Sequence, residues 1–135
     1  MHRHRFPVTV YYEDTDMGGI VYHANYLKYI ERGRSAWVRE MGVDQNALRA
    51  RGLVFAVRRI AAEYRAPARL DDRLAVETAL LKSGGARFVM SQTVRDEATG
   101  TTLFEAEVTL VAITLDGRPA RLPAELRRKL RVDAA

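Results

Sequence analysis

Cysteine is absent from this chain, which excludes a disulfide framework, a thiol nucleophile and a thiolate zinc site. No apolar run approaches the ~18 residues that a membrane-spanning helix needs. The basic N-terminus, Met1-His2-Arg3-His4-Arg5, is not followed by a signal-type apolar core, so a soluble cytoplasmic protein is expected. Internal repeats, low-complexity tracts and linkers are missing as well. Neither zinc-finger spacing nor an aromatic RNA-binding signature occurs, which leaves nucleic acid as a weak partner class.

What is present fits one domain, residues 1–135. The length of 135 residues and the 47% hydrophobic content suffice for a real core. The net charge of +5 comes from 22 Lys+Arg against 17 Asp+Glu. It favours anionic partners such as nucleotide phosphates, acidic proteins or an anionic membrane face. The cations are densest near the C-terminus, at Arg118, Arg121, Arg127, Arg128, Lys129 and Arg131, where a solvated helix face is the simplest reading.

Residues 6–13 are rich in β-branched and aromatic side chains and predict a first strand. After a glycine-bearing loop, Asn25 is a candidate N-cap for a long helix running to about Met41. Tyr26, Tyr29, Ile30, Trp37, Val38 and Met41 supply its apolar stripe, thinned in the middle by Gly33 and Ala36 so that a sheet can approach. Gly42 ends it. A short helix follows, from Gln45 to Arg51. Strands are then predicted over 54–66, 72–82, 86–96 and 101–115. The last three are joined by short turns, which favours an antiparallel meander. Residues 103–111 lose their alternation, as a strand covered on both faces would. Residues 123–131 form a basic terminal helix. The resulting order, one strand, a long helix and four strands, predicts an α+β fold: a five-stranded antiparallel sheet around one long α-helix.

The most informative stretch is Tyr12-Glu13-Asp14-Thr15-Asp16-Met17-Gly18-Gly19-Ile20-Val21-Tyr22-His23-Ala24-Asn25-Tyr26. It delivers carboxylates, a glycine pair and a histidine to a helix N-terminus, where backbone N–H groups can hold a developing negative charge. That suits acyl chemistry. The stretch resembles the hot-dog-fold thioesterases of the 4-hydroxybenzoyl-CoA thioesterase family, and more narrowly the acyl-CoA thioesterases encoded with the Tol–Pal envelope system. The likeness continues through Phe55-Ala56-Val57-Arg58-Arg59, residues 63–72 and Glu105-Ala106-Glu107-Val108, and so covers nearly the whole chain.

The resemblance implies a catalytic carboxylate at Asp16. The chemistry agrees, because with no Cys and no Gly-x-Ser-x-Gly elbow a carboxylate remains as the nucleophile or general base. An Asx-turn or helix-capping role is the structural alternative for Asp16. The backbone amides from Tyr22 to Ala24 would polarise the carbonyl. His23 would either orient the substrate and tune Asp16 or simply be a positioned, buried side chain. Tyr12 would either hydrogen-bond within the site or pack in the core as a strand tyrosine. Glu13 and Asp14 with His23 invite a metal reading, but their closeness in sequence does not establish a facing geometry; no metal or other cofactor is expected. Gly18 and Gly19 supply backbone freedom or close approach to the thioester. Asn25 is a cap first and a site residue second. Glu31 is a rival carboxylate on the long helix, with an exposed position and an ion pair to Lys28 or Arg34 as its simpler role.

Coenzyme A, as part of the substrate, needs cations. Lys82, Ser83, Gly84 and Arg87 are the candidates for its phosphates or pantetheine, followed by Arg58 and Arg59. The Gly84–Gly85 pair is equally a plain hairpin turn. The founding 4-hydroxybenzoyl-CoA enzymes carry a denser basic cluster in this segment. The resemblance also implies a dimer, and often a tetramer beyond it, with Phe55 and Val57 of a partner chain completing the acyl pocket. Acyl carrier protein is a second candidate partner, since the basic surface suits it. Two other classes remain open: a non-catalytic acyl-CoA or acyl-carrier binding module, and a basic adaptor for an anionic membrane or nucleic acid.

Overall fold

The computed structural model describes residues 3–131; Met1 and His2 of the basic N-terminus lie outside them. Five strands, β1 (His4–Thr9), β2 (Leu53–Tyr64), β3 (Arg73–Ser83), β4 (Arg87–Asp96) and β5 (Thr102–Thr114), form one antiparallel sheet of order β1-β3-β4-β5-β2. The β3–β4–β5 meander is its centre. The expected α+β architecture is therefore present, with the limits of β2 to β5 within a residue or two of the expected ones. β5 lies between β4 and β2, and Leu103, Phe104, Val108, Thr109 and Leu110 are all buried along it. That accounts for its lost alternation.

The first strand ends earlier than expected. The chain leaves the sheet after Thr9 and forms a short 3-10 turn at Tyr12–Asp14. Asp14 drives the break: its Oδ2 accepts from the Tyr11 N–H at 2.9 Å while its own N–H donates to the Tyr11 carbonyl at 3.0 Å. An Asp side chain that bonds the backbone locally competes with the ladder.

The long helix α1 (Asn25–Glu40) is capped by Ala24, not Asn25. Asn25 is instead the first helical residue, and its Nδ2 donates to the Asp14 carbonyl at 2.9 Å. Tyr26, Tyr29, Ile30, Gly33, Trp37 and Val38 form the buried stripe that packs on β1, β3 and β4. Gly33 permits the closest approach: a Cβ there would stand 2.6 Å from Val76 Cγ1 on β3. Gly42, at φ +82°, ends the helix as expected. The short helix α2 (Gln45–Ala50) is capped by Asp44, whose Oδ1 accepts from the N–H groups of Asn46 and Ala47.

The terminal helix α3 (Ala124–Lys129) is more than a solvated basic face. Leu122, Leu126 and Leu130 are buried between its cations. Arg127 Nη1 donates to the Leu122 carbonyl at 2.6 Å, Lys129 Nζ reaches the Gly42 carbonyl at 3.2 Å, and Arg51 pairs with Glu125 at 2.9 Å. Among the described residues no helix is long and apolar enough to cross a membrane.

Candidate active site

Asp16 sits in a tightly closed loop. Its N–H donates to the Ile20 carbonyl at 2.9 Å, and its carbonyl accepts from the Gly19 N–H at 3.0 Å. Gly19 has φ +77°, the left-handed conformation that explains glycine here. Single bridges join Thr15 to Val21 and Ile20 to Arg69, stitching the loop to the chain beyond β2. The Asp16 side chain is exposed and makes an Asx turn, Oδ1 accepting from the Gly18 N–H at 2.8 Å. The structural alternative is thus realised at one oxygen. Oδ2 has no hydrogen-bond partner among the described residues.

The helix entrance is built around the Asp14 carbonyl, which accepts from both the Tyr22 N–H and Asn25 Nδ2 at 2.9 Å. This corrects the expected set of oxyanion donors: the Tyr22 N–H is already committed. Among the described residues the N–H groups of His23 and Ala24 have no acceptor, and they lie on the turn that opens α1. Asn25 is buried, so it positions this turn and does not project into solvent.

His23 is exposed, not buried, with its ring 4.6 Å from that of Tyr22 and 6.3 Å from that of Tyr64. The Tyr64 hydroxyl donates to the His23 carbonyl at 2.8 Å. His23, Ile20, Val21, Tyr26, Tyr64 and Pro67 line an apolar cleft of about 350 Å³. Behind it Tyr26 stacks on Phe104 at 5.1 Å, and its hydroxyl accepts from the Ala68 N–H at 3.0 Å. Burial raises the Tyr26 phenol above its ordinary range, so it stays a neutral structural group. Tyr12 does not pack in the core: it is 83% exposed, because the 3-10 turn carries it off the sheet. Among the described residues no three His, Asp or Glu side chains converge as a metal site.

The other expected site residues lie elsewhere on the chain. Phe55 and Val57 line a second cavity, of about 250 Å³, together with Glu31, Arg34, Ser35 and Phe88. Glu31 makes no ion pair with Lys28 or Arg34 among the described residues. Arg58 occupies the β2 irregularity between Val57 and Arg59. Lys82 and Ser83 end β3, Gly84 turns back with its N–H on the Arg87 carbonyl at 2.7 Å, and Arg87 opens β4. Lys82, Ser83, Gly84 and Arg87 are exposed. The ladder places this hairpin and Phe55 at one end of the sheet and Tyr64 at the other, about 30 Å apart along β2 at the usual strand rise. One chain does not bring them together with Asp16.

Sequence reasoning missed a buried polar network. Gln92 Nε2 donates to the Ile30 carbonyl at 2.8 Å and to Thr78 Oγ1 at 2.9 Å, and its Oε1 accepts from Arg34 Nη1 at 3.0 Å. A signal existed: Gln92 falls in phase with Phe88, Met90 and Val94, the inward set of β4.

A five-stranded antiparallel sheet carrying one long helix, with an acidic loop at the helix start, defines a hot-dog-fold protein of the thioesterase class. The comparisons agree. Residues 10–130 match the family described as the Thioesterase-like superfamily, and the chain belongs to that family. It is 44% identical over 123 residues to the acyl-CoA thioester hydrolase YbgC of Escherichia coli O6:H1, covering 90% of this chain and 91% of that one. It is 38% identical over 124 residues to the acyl-CoA thioesterase YbgC of Haemophilus influenzae, covering 90% of each. Among solved structures, a probable thioesterase from Bartonella henselae superposes with a TM-score of 0.84 at 38% identity, covering 90% of this chain and all of that one.

Proposed function

We propose that this chain hydrolyses acyl-CoA thioesters to a carboxylic acid and free coenzyme A, with Asp16 as the reacting carboxylate. The observation that carries this reading is the pair of N–H groups at His23 and Ala24, without an acceptor among the described residues, on the turn fed by the Asp16 loop. Two preorganised donors at a helix start are what a thioester oxygen needs as it gains charge. Asp16 either attacks the carbonyl carbon, expelling the CoA thiolate and leaving an anhydride that water opens, or takes a proton from the water that attacks directly. In both routes the C–S bond breaks and the sulfur leaves as thiolate, which takes its proton from solvent in the first route and from the protonated Asp16 in the second. The apolar cleft beside His23 and Tyr64 receives the acyl group or the pantetheine arm.

The catalytic unit is a homodimer. β2 is an edge strand whose second half is exposed along its length, and such an edge favours pairing with a second copy. Two-fold pairing would set the Phe55 end of one chain beside the Tyr64 end of the other. It would carry the partner's Phe55, Val57, Arg58 and Arg59 toward the cleft. Lys82, Ser83 and Arg87 supply charge for CoA phosphates. Acyl carrier protein is the alternative thiol carrier, a tetramer the further assembly and the cytoplasm the expected compartment, near an envelope system of the Tol–Pal type.

The test is thiol release from short, long and aromatic acyl-CoAs, with Asp16→Asn run beside the wild type. Turnover that falls by at least about 10³ in the variant supports Asp16 as the reacting group. A folded wild type that hydrolyses no CoA or carrier-protein thioester would overturn the reading.

A further inference from the structure

Arg34 is 8% exposed, yet its immediate partner is a neutral amide and not a carboxylate. The orientation of that amide is fixed: Gln92 commits its Nε2 to Ile30 and Thr78, so only Oε1 can face the guanidinium. Among the described residues Arg34 has no ion-pair partner. Burial draws its guanidinium below the ordinary range, opposed by the nearby charge of Glu31. Glu31 borders the same cavity but is itself exposed and lies beyond ion-pair distance. The rest of the wall is apolar at Val38, Phe55, Val57, Phe88 and Leu110 and polar at Ser35 and Gln45, neither of which hydrogen-bonds Arg34 among the described residues.

A buried guanidinium with donors to spare, at the wall of a cavity whose far side is apolar at Phe55, Phe88 and Leu110, calls for an anionic oxygen acceptor. A planar fork fits a carboxylate best, because two parallel N–H···O bonds can form. We propose that this cavity selects acyl groups ending in a carboxylate, and that Arg34 binds that distal carboxylate, making half-thioesters of dicarboxylic acids the preferred substrates. The inference deepens the hydrolase reading and rests on it. The cavity extends from the Phe55 end of the sheet to Arg34, whose guanidinium meets Gln92 midway along β4, so an acyl chain need span only the ten helical residues from Ala24 to Arg34, about 15 Å. Side chains on a helix lean toward its N-terminus, which brings the guanidinium back toward the amides.

The experiment compares kcat/KM for half-thioesters of linear dicarboxylic acids with that for monocarboxylic acyl-CoAs of equal length. Given the helix rise, the series runs from about four to about twelve carbons. The wild type is expected to favour the carboxylate-ended member at one or more lengths by at least about 10-fold, the scale of a charge-assisted hydrogen bond. Arg34→Gln, which can still donate to Gln92, should bring the two series together, and Arg34→Lys should retain part of the preference. The free dicarboxylic acid should inhibit the wild type competitively and the monocarboxylic acid far less, a readout that needs no variant. Equal or lower kcat/KM for the carboxylate-ended series at every length would overturn the inference while leaving the hydrolase reading intact. Turnover of neither series, nor of any other thioester, would overturn the hydrolase reading and this inference with it.

Discussion

The Tyr64 hydroxyl on the edge strand donates to the His23 carbonyl at 2.8 Å. This bond joins the exposed margin of the sheet to the turn that opens α1, and it holds the peptide that carries the Ala24 N–H. Rotation of that peptide would swing the Ala24 N–H away from any carbonyl placed for attack. Tyr64→Phe keeps the ring against Tyr26 and Phe104 but releases the turn. The expected result is a kcat lower by about 10-fold, the scale of one hydrogen bond of ordinary net strength, with KM and the melting temperature little changed. An unaltered kcat would mean that the peptide is held by the helix alone.

Gly33 and Val76 form the tightest helix–sheet contact. A Cβ at position 33 would stand 2.6 Å from Val76 Cγ1 and 3.2 Å from Val76 Cβ. The neighbour is a β-branched side chain on an interior strand, stiff at χ1 and unable to swing aside. Gly33→Ala gains up to about 1 kcal/mol of helix propensity, but overpacking costs about 1–3 kcal/mol, so a net loss in denaturant midpoint is expected. Pairing it with Val76→Ala should recover part of that loss. In a double-mutant cycle the two changes are expected to be non-additive, and additivity would show that the helix approaches the sheet less closely than the contact implies.

Tyr29 is buried, and among the described residues its hydroxyl has no hydrogen-bond partner of good geometry. Burial, reinforced by the nearby Asp14, holds its phenol above the ordinary range. A phenol whose folded-state pKa exceeds the unfolded value of about 10 contributes stability that is fully present below that pH. The contribution is lost as pH rises through the folded value. Unfolding above pH 10 is therefore expected to ease steeply for the wild type and less so for Tyr29→Phe. At neutral pH the same variant should gain about 1 kcal/mol, because it removes an unsatisfied buried hydroxyl. Chemical denaturation at neutral and alkaline pH measures both effects, and a loss of stability at neutral pH would indicate that the hydroxyl has a partner in solution.

The strands and the long helix were legible because hydrophobic patterning is a local property: apolar runs punctuated by turn residues marked β2 to β5, and the stripe from Tyr26 to Val38 marked α1. The Asp16 loop was legible because its residue types are unusual at a helix start. Position 12 was not. Tyr11 and Tyr12 read as strand until the Asp14 side chain is seen to close a turn on Tyr11, a competition between ladder and local hydrogen bond that β propensity does not contain. The Tyr22 amide was assigned to the site because helix-start donors are free in general; here the Asp14 carbonyl takes it. The Arg34–Gln92–Thr78 network joins residues as far as 58 positions apart, and no local pattern pairs them. The separation of Phe55 from Asp16 likewise became visible only with the ladder register.

The C-terminal segment shows how charge can mask packing. Read as a run of cations, residues 118–135 look dispensable, and deleting them looks like a clean test of an anion-binding adaptor. The spacing between the cations says otherwise: Leu122, Leu126 and Leu130 recur at four-residue steps and are all buried. At about 1.5–3 kcal/mol for each buried leucine, their removal subtracts an amount comparable with the whole stability of a domain, about 5–15 kcal/mol. The truncated chain is expected to lose its cooperative melting transition, so that any loss of binding in it would report unfolding. Neutralising exposed cations separates the two effects. Arg128→Gln and Arg131→Gln alter exposed residues and should stay within about 0.5 kcal/mol of the wild type. If thiol release from acyl-CoA persists in that pair while salt-sensitive binding to anionic vesicles weakens, the terminal cations serve a surface and not the reaction. If turnover falls with them, they belong to the CoA-binding surface.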